Sequence, residues 1–153
     1  MKQRETELMK VSLQRTLSII KPDAVSKGII GEILSRFEKK SMNIIALQMT
    51  SFTTEEARSF YEIHKDRPFY QNLVAFMTEG PIVALVLQGD HIVEKLRTLM
   101  GATNPKEAAL GTIRRDLGES IERNVIHGSD SIENAQKEVS FFLNRKTSLQ
   151  LLI

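Results

Sequence analysis

Apolar positions along the chain follow two rhythms, short unbroken runs and stripes at helical spacing, and the two alternate. Residues 16 to 21 (TLSIIK) form a short run that Pro22 stops, because proline has no N–H for a central strand to donate; they predict a first strand with Lys21 at its end. Gly28 and Gly31 punctuate the next stretch. Ile30, Ile33, Leu34 and Phe37 then recur at helical spacing, and Lys39 and Lys40 fall where cations suit a helix C-terminus. Residues 43 to 49 (NIIALQM) predict a second strand, and Thr53 before Glu55 and Glu56 predicts a helix start. Helical pieces over residues 54–63 and 69–77 are separated by Asp66, Arg67 and Pro68. Residues 82 to 87 (IVALVL) are apolar throughout, as in a strand buried on both faces. Asp90 is expected to cap the next helix, whose inner side carries Ile92, Val93, Leu96 and Leu99.

From residue 101 to 122 no period persists, and a loop of that length inside one domain is usually functional or disordered. Residues 124 to 127 (NVIH) predict a last short strand. Asp130 with Glu133 three later predicts a capping box opening a final helix, with Ile132, Ala135, Val139 and Phe142 as its apolar stripe. The order β-α-β-α-α-β-α-β-α predicts an α/β (α+β) sandwich of the ferredoxin-like kind, a four-stranded antiparallel sheet covered by helices. A doubly wound parallel sheet is the rival. Residues 1–14 read as an N-terminal extension, 15–143 as the one domain, and 144–153 as a short tail whose apolar end is expected to pack on something, such as a neighbouring subunit.

Composition removes several functions. Lys+Arg 21 against Asp+Glu 19 leaves +2 with no basic tract, so nucleic acid is not an expected partner. The absence of cysteine excludes disulfides, thiolate catalysis and cysteine zinc sites. No run reaches signal-peptide or transmembrane length, so the expectation is a cytoplasmic protein without a membrane partner. There is no GxxxxGK[ST] loop, no GxGxxG, no HRD or DFG, and no GxSxG elbow. If phosphate is handled, side chains handle it.

A neutral imidazole offers a nucleophilic nitrogen near neutral pH without an auxiliary base. His64 sits amid charges at a helix end and reads as a solvated cap; His91, after Asp90, reads as surface. His127 ends an apolar run and precedes Gly128, which would let a ligand approach the backbone. On that alone a structural histidine is the better reading. The company changes the balance. Ser129, Asp130 and Ser131 open a helix beside it, bringing free N–H groups and a positive dipole end. Glu138 lies about 80° from the centre of that helix's stripe at about 100° per residue, where a carboxylate can reach back to fix an imidazole tautomer. An exposed helix acid is an equally good reading of Glu138.

The run Asn124, Val125, Ile126, His127, Gly128, Ser129, Asp130, Ser131 resembles the N-x-I-H-G-S-D-S signature of the nucleoside diphosphate kinases. IKPDAV from Ile20, KDRPF from Lys65, Thr103 with Asn104 and Pro105, and GTIR from Gly111 occur in the family's order. The similarity runs from residue 15 to 142, with the short C-terminus of bacterial members.

The resemblance implies transfer of the γ-phosphate of a triphosphate, mainly ATP, to a diphosphate through a ping-pong cycle with a pros-phosphohistidine at His127, maintaining NTP and dNTP pools. It implies phosphate contacts from Lys21, Arg97 and Arg114, with hydrogen bonds from Thr103 and Asn124. Phe69 matches the aromatic stacked on the base, with Leu73 and Ile121 beside it. Tyr61 matches a tyrosine near the nucleophile, Glu138 the carboxylate bonded to its ring, and Ser129 a serine near the phosphoryl path. Mg²⁺ is implied as a companion of the phosphates, with no protein ligand named. A homo-oligomer, tetramer or hexamer, is implied as well. Ile121 stands where valine is common, and Arg115 and Glu122 where smaller residues often occur. The alternative, a non-catalytic nucleotide-binding or scaffold relative, would need a lesion among Lys21, Tyr61, Arg97, Arg114, Asn124, His127 or Glu138, and none is present.

Overall fold

In the computed structural model, which describes residues 13–145, the two strands with unbroken buried runs lie side by side at the middle of one sheet. Residues 16–20 of β1 (Leu13–Ile20) and 82–87 of β3 (Ile82–Asp90) are buried without interruption, which explains why neither run alternates. β2 (Asn43–Thr50) alternates in burial and forms one edge; β4 (Ile126–Gly128) forms the other. The order is β2-β3-β1-β4 and every pairing is antiparallel, so the ferredoxin-like expectation holds and the parallel rival is excluded.

Each face of the sheet carries its own core. Ile20 with Val83, Leu85 and Leu87 meets Ile33 and Phe37 of α2 (Ile30–Lys39) and Ile92, Leu96 and Met100 of α5 (Ile92–Met100). The alternate residues Leu17, Ile19, Ile82, Ala84 and Val86 meet α3 (Thr54–Phe60), α4 (Tyr70–Met77) and α7 (Ile132–Leu143). Each such fully buried aliphatic or aromatic side chain contributes about 1.5–3 kcal/mol, enough to fix the register on which the site depends.

Several local expectations are corrected. β1 begins at Leu13, inside the segment read as an extension, and ends before Lys21. Lys21 instead N-caps a helix that the hydrophobic pattern does not predict, α1 (Pro22–Lys27): Pro22 occupies its first turn and Gly28 closes it at φ 71°. The helix expected over 54–63 stops at Phe60 and continues as a 3₁₀ turn, Glu62–His64. β3 runs to Asp90, so Asp90 caps nothing, and α5 starts from His91 with no side-chain cap. Ser131, not Asp130, caps α7, accepting the Asn134 N–H at 3.1 Å; Asp130 accepts from the Asn134 side chain at 2.6 Å. Ile132 is exposed, outside the stripe formed by Ala135, Val139 and Phe142. The long loop contains one short helix, α6 (Ile113–Leu117), capped by Thr112. The apolar C-terminus lies outside the described residues, as do residues 1–12.

Candidate active site

His127 pairs with Ile19 across the β1–β4 ladder, which puts its side chain on the sheet face covered by α3 and α7. The next residue explains how so short a strand is held. A Cβ on Gly128 would lie 2.5 Å from Met100 Sδ and 3.0 Å from Leu96 Cδ2. Gly128 therefore lets α5 close onto β4; the close approach is by the protein's own helix, not by a ligand.

Glu138, one residue before Val139 of the buried stripe, reaches back as its flank position suggested. Its Oε1 lies 2.5 Å from His127 Nε2. Ser129 Oγ donates to the same oxygen at 3.2 Å and accepts the Leu17 N–H at 3.4 Å, so the carboxylate is held from two sides. Ser129 is wholly buried, behind Glu138 and away from the cleft wall. Two aromatic edges complete the imidazole's cage: Phe60 at 5.4 Å between centroids and Tyr61 at 6.1 Å, both near perpendicular. Phe60 did not stand out in the sequence; it lies seven residues from Thr53 at the end of α3, and only the docking of α3 on β4 brings it to His127. Tyr61 is buried with its hydroxyl unpartnered, and burial, then the nearby Glu138, raises its pKa well above the phenol range.

The cations converge from three segments. Lys21 is buried and donates to Asn124 Oδ1 at 2.7 Å. Burial, then Arg114, lowers its pKa to about 7 against a smaller opposing effect of Asp23. Arg114 donates to the carbonyls of Gly101 at 3.1 Å and Ile126 at 2.8 Å, which fixes its guanidinium beside β4. Burial, then Arg97, lowers its pKa to about 10. Mutually destabilised cations facing one space describe a site built for an anion. Asn124 is almost fully engaged: its amide also donates to the carbonyls of Thr103 at 3.1 Å and Ile121 at 3.0 Å.

These groups share one cleft of about 860 Å³. Every candidate from the sequence except Ser129 lines it: Lys21, Tyr61, Phe69, Leu73, Arg97, Thr103, Arg114, Ile121, Asn124, His127 and Glu138. Phe69 and Ile121, apolar yet 47% and 56% exposed, leave a hydrophobic slot at a site otherwise lined with charge. His64 is a correction. Read as a solvated cap, it lines the cleft with its ring 5.4 Å from that of Phe69, because the turn at Pro68 folds the two together. His91 is exposed, as expected.

A histidine tied at one nitrogen to a carboxylate, opposite three cations, with an aromatic slot beside them, fits phosphoryl transfer between nucleotides, and the class defined is a phosphotransferase. Comparison with known proteins gives the family. The nucleoside diphosphate kinase family model matches residues 14–148. The chain is 56% identical over 134 residues to a nucleoside diphosphate kinase of Campylobacter fetus, covering 88% of this chain and 98% of that one. It is 57% identical over 130 residues to one of Legionella pneumophila, covering 85% and 92%. The solved nucleoside diphosphate kinase of Aquifex aeolicus superposes with a TM-score of 0.84 at 46% identity, covering 86% of this chain and 95% of that one. A family protein from Babesia bovis gives 0.82 at 38% identity, covering 86% and 88%. The chain belongs to the nucleoside diphosphate kinase family.

Proposed function

We propose that His127 carries the phosphoryl group between a nucleoside triphosphate donor, mainly ATP, and a nucleoside diphosphate acceptor in a ping-pong cycle that maintains NTP and dNTP pools. One observation carries this reading: Glu138 holds Nε2, so the ring proton stays there and the lone pair is on Nδ1, which has no partner among the described residues. In the first half-reaction Nδ1 attacks Pγ, the bond from Pγ to the β-bridging oxygen breaks, and the diphosphate leaves with the bonding electrons. The Nε2 proton stays on the ring, and Glu138 balances the imidazolium character of the phosphohistidine. In the second, a terminal oxygen of the acceptor attacks phosphorus and Nδ1 departs.

A loose phosphoryl transition state needs placement and neutralisation more than covalent activation. Lys21, Arg97 and Arg114 supply the positive charge, Thr103 adds a hydrogen bond, Asn124, its amide protons already committed, accepts from a ribose hydroxyl through Oδ1, and the unpartnered Tyr61 hydroxyl is a donor for the phosphoryl in transit. Ser129 serves by holding Glu138. Stacking on Phe69 with apolar contact from Leu73 and Ile121 reads no base edge, so purines and pyrimidines, ribose and deoxyribose, are all accepted. Mg²⁺ arrives with the triphosphate. Among the described residues no group of three or more His, Asp or Glu could hold a metal ion, and a donor set dominated by cations fits an ion held through the phosphates.

The protein works as a homo-oligomer, a tetramer or a hexamer. Support comes from β2, an edge strand with Ile45, Leu47 and Met49 each at least 40% exposed, a combination that favours pairing with another chain. Its place of work is the cytoplasm, and no helix among the described residues is long and apolar enough to cross a membrane. The test is a single turnover with γ-labelled ATP: an acid-labile, base-stable label on His127 that a diphosphate of another base discharges. A His127→Ala protein exchanging phosphate at the normal rate would sink the proposal.

A further inference from the structure

Val125, two residues before His127, has φ +67°, in the left-handed region where a β-branched side chain is an outlier. The Ile126 N–H donates to the Asn124 carbonyl at 2.9 Å, closing a three-residue γ-turn whose positive-φ form is rare and strained. The Val125 side chain is wholly buried with Ile20 and Ile33, so packing requires a large apolar group where the backbone would prefer glycine. Such a conformation persists only when its surroundings over-determine it.

Two bonds do so. The Lys21 N–H donates to the Val125 carbonyl at 2.9 Å, and the Val125 N–H donates to Asp23 Oδ2 at 3.1 Å. The first is backbone to backbone and survives substitution at either residue. The second depends on one carboxylate. Asp23 is 1% exposed and its other oxygen, Oδ1, has no partner, an arrangement that stability alone does not favour.

What the turn separates gives the carboxylate its purpose. On one side Asn124 takes the Lys21 ammonium and is itself fixed by the Thr103 and Ile121 carbonyls. On the other, Ile126 and His127 enter the ladder opposite Ile20 and Ile19. If residue 125 relaxed to an ordinary φ, the phosphate-holding pair would swing relative to the imidazole.

We propose that Asp23 is a positioning residue for phosphoryl transfer: by holding the Val125 N–H it keeps the strained turn that sets Lys21 and Asn124 against His127. This rests on His127 as the phosphoryl carrier. Asp23 acts through Val125, and its charge separately helps keep Lys21 protonated.

The experiment measures phosphohistidine formation from γ-labelled ATP in a single turnover, with steady-state kcat and KM, on the full-length wild type, Asp23→Ala, Asp23→Asn, Val125→Gly and the double variant of Asp23→Ala with Val125→Gly. Thermal melts set a temperature at which each is folded. Asp23→Ala slows formation about tenfold, the rate equivalent of relaxing one strained turn. Asp23→Asn keeps a carbonyl acceptor, so it keeps kcat within about threefold, and the lost charge appears in KM. In the Val125→Gly background, where glycine takes positive φ freely, Asp23→Ala slows the reaction by less than about threefold. Should Asp23→Ala fail to fold, the asparagine variant and the glycine-background pair decide. A wild-type rate for Asp23→Ala, equal losses for the alanine and asparagine variants, or an undiminished loss in the glycine background each overturn the proposal while His127 is still labelled. A wild type that takes no label on His127 overturns the carrier reading, and the proposal with it.

Discussion

If Lys21 holds phosphate as proposed, it links nucleotide binding to pH. In the nucleotide-free site its pKa is lowered to about 7, by burial first and by Arg114 second. The phosphates of a bound nucleotide, ADP included, bring negative charge to that ammonium and return its pKa toward the ordinary lysine value of about 10.4. At pH 8 a group of pKa about 7 is about one-tenth protonated, so binding takes up about 0.9 proton; at pH 6 the uptake falls to about 0.1. Because the charged form binds, affinity falls as pH rises through the free-state pKa. The dissociation constant for ADP rises about eightfold between pH 7.5 and 8.5, approaching tenfold per unit above that. Isothermal titration calorimetry of ADP in two buffers of different ionisation enthalpy reads the proton count directly. The Lys21→Met protein binds more weakly and shows no uptake and no slope. An uptake near zero at pH 8 in the wild type, or an unchanged uptake in Lys21→Met, would refute the linkage.

Three further outcomes rest on the bonding and packing around the cleft. Glu138→Gln keeps a carbonyl acceptor but not its charge, so phosphohistidine formation slows on the order of a hundredfold with KM for ATP nearly unchanged, read by rapid quench. Gly128→Ala drives a methyl into Met100 and Leu96 and destabilises the fold by about 1–3 kcal/mol in urea titration; in a Met100→Ala background, where that space is vacated, the same change costs less, and a neutral single variant would contradict the packing role. Phe69→Ala removes the stacking surface, worth about 1–3 kcal/mol per base, and raises KM at least about fivefold for adenine, guanine and cytosine nucleotides alike. A loss confined to one base would mean that the slot reads edges.

The strands and the stripes of α2, α5 and α7 were legible because hydrophobic period is a local property of the chain. The sequence of elements narrowed the sheet to the ferredoxin-like sandwich or a doubly wound parallel rival, and only the pairing of β1 with β3 and β4 decides for the antiparallel order. Caps were less so. Asp130 and Ser131 are equally good candidates by type, and only the turn before α7 decides that Ser131 takes the Asn134 N–H. α1 escaped because six residues carry too little period to register. In the site, the resemblance to the family's motifs marked eleven of the side chains that line the cleft, most of which type and spacing alone left as ordinary surface or core residues. Ser129 was legible as a participant, but that its hydroxyl turns to Glu138 depends on the Leu17 N–H, 112 positions away. Phe60 carries no local signal, His64 reads locally as a solvated cap and Asp23 as one member of a motif; each acquires its place only in the fold, beside His127, beside Phe69 and at Val125.

The bond from Lys21 to Asn124 spans 103 positions of sequence. A glycine-rich phosphate loop is a portable object, a short run of neighbouring residues that brings its own anion site wherever it is spliced. Nothing comparable can be excised here, since the lysine, both arginines and the histidine arrive from separate parts of one sandwich and meet only once β1 and β4 have paired. Phosphate affinity is thus a reporter of tertiary structure: it requires the β1–β4 ladder and is lost wherever that ladder opens.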